Sequence, residues 1–177
     1  TSARAASDLQ NAQDEATEFA ATAAAEAKAA EDAARADAKA AAEQAVVDRA
    51  AAEALAAIQA KAFSETAVEQ KAIAQSLSEQ AAVAAKNVDV TLAENLAIKS
   101  RAAADASQAA ANAAIDVALG KGAEALAFAR IALSVATDAK GFSGAADAAA
   151  EIAANSAQAV ADWTSGDASS GRVVAAK

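Results

Sequence analysis

Across residues 20–42 no apolar side chain is larger than a methyl group. Burial stabilises by about 25 cal/mol per Å² of apolar area, so a buried alanine gains far less than a buried leucine. Helix is the compensation open to such a stretch, because alanine has the highest intrinsic helix propensity. The bias runs through the whole chain: 68 of its 177 residues are alanine, proline is absent and only six glycines occur. There is little here to stop a helix and little turn chemistry for a sheet. The remaining apolar groups (Val, Ile, Leu, Phe and one Trp) are few for a compact globule of this length. The composition therefore predicts an all-α protein, with long alanine-rich helices in an antiparallel bundle or coiled coil held by methyl-lined seams.

Residues 2–62 read as one uninterrupted helix. Its seam passes through Ala5, Leu9, Ala12, Ala16, Phe19, Ala23, Ala27, Ala30 and Ala34, in steps of three and four. An extra four-step from Ala34 to Ala38 resembles a stutter, after which Val47, Ala51, Leu55, Ile58 and Ala62 carry the stripe onward. Glu31 with Arg35, Lys39 with Glu43 and Arg49 with Glu53 stand four apart on the other face, each pair adding a few tenths of a kcal/mol. Residues 62–65 form a candidate corner with Ser64 as N-cap, although neither Gly nor Pro marks it.

A second helix is expected over 66–86, with Val68, Ile73, Leu77, Ala81 and Ala84 inward. Thr91 and Glu94 have capping-box spacing and predict a new start, giving a helix over 91–119. Its seam alternates threes and fours strictly: Ala93, Leu96, Ser100, Ala103, Ser107, Ala110, Ala114 and Val117. Gly120-Lys121-Gly122 is the strongest turn signal, and residues 140–144 supply a second. They delimit helices over 123–139, with Phe128 and Val135 on the seam, and over 145–162, with Ile152 and Trp163. Trp163 is expected as a plug closing the bundle's end, and residues 164–177, rich in Ser and Gly, as a flexible tail.

Chemistry is sparse. Histidine, cysteine and tyrosine are all absent, which removes the commonest general base, two nucleophile types and the usual transition-metal ligands. No phosphate-loop, dinucleotide or EF-hand spacing occurs, so no catalytic residue, cofactor or metal is expected. With 15 basic and 24 acidic residues the formal charge is −9, which argues against nucleic acid and anionic membranes. No charge-free run of 20 apolar residues suggests a transmembrane helix. The absence of Met at position 1 suggests a mature or excised, secreted product.

The alanine-packed seams over residues 12–45 and 93–117 resemble the α-helical coiled-coil silk proteins of insects, chains that are alanine-rich and nearly free of Pro and Cys. That resemblance implies a structural, non-enzymatic role outside the cell, with copies of the same chain or related alanine-rich helical chains as partners. The Gly120 and Gly141 turns and the modest serine content depart from it. Two other classes compete. Alanine-rich helical ice-binding proteins share the composition, but the threonines at 1, 17, 22, 66, 91, 137 and 164 lack an eleven-residue repeat. Amphipathic coat proteins of lipid droplets, storage granules or air–water interfaces need bulky apolar faces. Residues 115–133 (Ile115, Val117, Leu119, Leu126, Phe128, Ile131, Leu133) offer one, while the first 60 residues do not.

Overall fold

A computed structural model describes the backbone of residues 2–175 and the side chains of residues 3–165. Among the described residues every regular element is helical: α1 (Ser2–Lys86), α2 (Val90–Ala118) and α3 (Ala123–Ala175). The chain divides into two units, Thr1–Ala51 and Ala52–Lys177. The first consists of helix alone, and every described side chain in it is exposed. The second is a bundle of the remainder of α1 with α2 and α3.

Two hydrogen bonds fix the direction of the first helix pair in the bundle. Ser100 Oγ donates to the Ala74 carbonyl at 3.0 Å, and Ser107 Oγ to the Ala67 carbonyl at 3.0 Å. Moving seven residues forward on α2 moves seven backward on α1, so the two are antiparallel. A short turn then sends α3 back along α2, parallel to α1. Ion pairs link α3 to both neighbours: Lys71 Nζ to Asp138 Oδ2 and Arg101 Nη2 to Asp147 Oδ1, each at 2.8 Å.

Nearly all of the core is methyl groups. Among the described residues every buried hydrophobic side chain except Leu96 is alanine. On α1 the inward positions are Ala57, Ala60, Ser64, Ala67, Lys71, Ala74, Ser78, Ala81 and Ala85, in strict steps of three and four. Lys71 keeps the phase by laying its stem along the core and carrying its ammonium out to Asp138. On α3 the same spacing runs through Ala125, Ala129, Ala132, Ala136, Ala139, Ser143, Ala146, Ala150 and Ala153. This is the heptad pattern of a coiled coil, and alanine at the contacts draws helix axes to the short end of the usual range of about 8–10 Å.

The turns are built with economy. Asp89 N–H donates to the Ala84 carbonyl and Val88 N–H to the Ala85 carbonyl, both at 3.0 Å, which is a Schellman closure of α1 with Val88 in the left-handed position. Asp89 is then the N-cap of α2, its carboxylate accepting from Leu92 N–H at 3.0 Å. The start of α2 thus rests on Asp89, in place of the capping box expected from Thr91. At the other turn Gly120 (φ 69°) and Gly122 (φ 107°) take backbone angles that favour glycine. Leu126 N–H then reaches the Gly122 carbonyl to begin α3.

Two expected breaks are absent. The helices expected over 2–62 and 66–86 are one helix, because nothing near Phe63 terminates it and Ser64 is buried in the bundle. Residues 140–144 are likewise helical, and α3 continues past Gly141 and Gly144 to Ala175. The helix therefore takes in much of the segment expected as a tail. The side chains of that segment beyond Ser165, and residues 176–177 altogether, lie outside the described residues.

Candidate association surface

The seam residues expected from sequence fall into three groups. Those of α2 are where the alternation places them: Ala93, Leu96, Ser100, Ala103, Ser107, Ala110 and Ala114 are buried, and Val117 is half-buried. Each of the two serines is small enough for a close helix contact and satisfies its hydroxyl on an α1 carbonyl. Among the described residues no buried side-chain nitrogen or oxygen lacks a partner.

The second group lies at the edge of the core or outside it. Phe128 and Val135 are half-buried and cover the alanines near the Gly120 turn. Ile152 and Trp163 are exposed, Trp163 by 70%, so the indole does not plug the bundle. The reason is phase. With no turn at Gly141, the inward line set by Ala125 to Ala139 continues to Ser143, Ala146 and Ala153, which turns Ile152 outward. Leu55, Ile58, Ala62, Val68 and Ile73 on α1 are exposed for the same kind of reason. The inward line there follows alanine and serine, not the bulky groups. Had the threes and fours been counted on Ala and Ser alone, Ala57, Ala60, Ser64, Ala67 and Ala74 would have stood out.

The third group is the seam of the first unit. Leu9, Ala12, Ala16, Phe19, Ala23, Ala27, Ala30 and Ala34 are all exposed, Leu9 by 62% and Phe19 by 78%. No described residue of the first unit covers them. Around them the polar side chains look after their own helix. Thr17 and Thr22 hydroxyls donate to the Gln13 and Glu18 carbonyls, and Arg35 meets Glu31 at 3.1 Å. Lys39 and Glu43 stand 3.9 Å apart. Exposed pairs of this kind stabilise by well under about 1 kcal/mol, and none ties the seam to anything else.

The bundle's exterior inverts the usual arrangement. Val83, Leu92, Ile98, Leu119, Ile131 and Leu133 are exposed while the methyl groups lie inside. A cleft of about 390 Å³ opens beside the first turn, its walls including Glu79, Val83, Asp89, Leu92 and Leu96. Its carboxylates have local tasks: Asp89 caps α2, and Glu79 accepts from Gln75 at 3.0 Å. Among the described residues no group of three or more His, Cys, Asp or Glu is placed to hold a metal ion. No described helix is long and apolar enough to cross a membrane. What the geometry presents is surface: a bare methyl seam on the first unit and scattered bulky groups on the second. No family model, no curated protein and no solved structure matches the chain.

Proposed function

We propose that this is a structural, non-enzymatic protein that associates through its alanine-rich helix seams, with copies of itself or with related alanine-rich helical chains. A role as a component of an extracellular fibre or coiled-coil material is the reading that follows. The observation that carries it is exposure within the first unit. Every described side chain of residues 3–51 is exposed, including Leu9 by 62% and Phe19 by 78%. The seam of residues 5–45 steps by threes and fours as the buried seams of the bundle do, with extra four-steps. Sedimentation equilibrium over a wide concentration range tests the reading. Masses above 17.2 kDa that grow with concentration support it, and a single species of that mass throughout refutes it.

A second reading is favoured by a different observation. Leu119, Leu126, Ile131 and Leu133 are exposed on the bundle, and bulky apolar side chains are what an amphipathic helix inserts at a lipid or air–water boundary. Co-sedimentation with neutral-lipid emulsions or zwitterionic vesicles separates the two. A coat protein partitions with the particles, and a protein working only through its methyl seams stays in the supernatant.

A further inference from the structure

We propose that the helical stretch of residues 5–45 pairs antiparallel with the same stretch of a second copy, about a two-fold axis near residue 25. This rests on the association reading above and adds the partner, the direction and the register. Three observations carry it beyond the presence of small residues.

The first is the order of the seam, which reads nearly the same from either end. Reversal about residue 25 brings Leu9 onto Ala41, Ala12 onto Ala38, Ala16 onto Ala34 and Ala23 onto Ala27, with Phe19 falling within one residue of Ala30. In this register Leu9 faces a methyl group and Phe19 falls on Glu31, beside Ala30, so no two bulky apolar side chains meet and the axes can stay close along the contact. Parallel pairing in register would stack Leu9 on Leu9 and Phe19 on Phe19, prising the axes apart at two places and leaving voids between methyls elsewhere.

Charge is the second. Residues 1–26 hold five acids and one base, a net charge of −4, while residues 27–51 hold five acids and four bases, a net charge of −1. Parallel pairing faces −4 with −4, whereas antiparallel pairing faces each acidic half with a nearly neutral one and brings Arg35 across from Glu15. Like charges set side by side select against the parallel form. The third is area. Described residues 3–51 are exposed without exception, and Leu9 and Phe19 are large apolar groups held in water on one face.

The full chain carries no cysteine, so a single spin label can be placed at will. Gln10→Cys lies on the face away from the seam. Antiparallel pairing separates the two labels by roughly 30 residues of helix, about 45 Å, and parallel pairing by roughly 20 Å or less, two helix widths. Pulsed dipolar spectroscopy reads the difference. Sedimentation of Ala23→Glu, which buries a carboxylate against Ala27 of the second copy, is expected to show association weakened about 100-fold or more. Ala25→Glu, on the outer face, is expected to leave it within about threefold. A label distance near 20 Å, or equal effects of the two substitutions, overturns the antiparallel pairing while association stands. An unaltered chain that never exceeds monomer mass overturns the association reading with it.

Discussion

Val88 occupies the position of the α1–α2 turn that glycine usually fills. Its φ of 57° costs a side-chain-bearing residue about 1–2 kcal/mol, and the closing hydrogen bonds of the turn hold it there. Val88→Gly removes that cost but adds roughly 0.5–1 kcal/mol of backbone entropy lost on folding. The expected result is a net gain of up to about 1 kcal/mol, read as a higher midpoint in urea. A loss would mean that the isopropyl group, which lines a small hollow with Ile152 and Ala149, is worth more than the strain. Size decides matters elsewhere too. Ala74 has no exposed surface and its carbonyl receives Ser100. Ala74→Leu should therefore destabilise by about 1–3 kcal/mol or more through overpacking, whereas Ala62→Leu on the exposed side of the same helix should stay within about 0.5 kcal/mol. Chemical denaturation of the two variants side by side checks the orientation of α1.

At the scale of the element, α3 carries two glycines in its interior. Gly141 and Gly144 have helical backbone angles, and a methyl group built on either meets nothing within 4 Å. Each Gly→Ala substitution should stabilise by about 0.5–1 kcal/mol, through helix propensity and the smaller entropy of the unfolded chain. Gly122→Ala should do the opposite: its φ of 107° suits glycine, while the added methyl would only touch the Glu53 side chain at an ordinary contact distance of 3.6 Å. A destabilisation of about 1 kcal/mol or more is expected, from backbone strain. This contrast marks what the sequence could convey. The Gly120-Gly122 pair is a turn because the backbone needs its positive angles, but a glycine in sequence does not announce its φ, so residues 140–144 read as a second turn. That false turn reset the phase of α3 and sent Ile152 and Trp163 inward. The strict alternation of α2 was legible because Ala and Ser dominate it, with no competing line of bulky groups. On α1 the bulky residues offered a rival stripe, and apolarity outranked size in a core built almost wholly of methyls.

For the whole molecule the question is where stability comes from. At about 25 cal/mol per Å² a core of alanines stabilises weakly per residue, and the two inter-helix ion pairs are partly exposed and add at most about 1 kcal/mol each. Among the described residues the first unit has no buried side chain; its helix rests on propensity and i,i+4 pairs, which give a gradual melt without a sharp midpoint. Association through the seam would change both. A second copy that binds only the folded form adds stability that rises with the logarithm of its concentration, about 2.7 kcal/mol at one hundred times the dissociation constant. Heating the chain while following helicity at several concentrations should therefore give two behaviours. In dilute solution a shallow loss of helix from the first unit precedes a cooperative step from the bundle. As concentration rises a hundredfold, the shallow phase should sharpen and move upward towards the cooperative one, because the seam now melts with its partner. Ala23→Glu should abolish that movement and leave the bundle's own step in place, since residue 23 lies outside the bundle. Melting curves that superimpose at every concentration would place all the stability inside one chain, and the exposed methyl seam would then stabilise nothing.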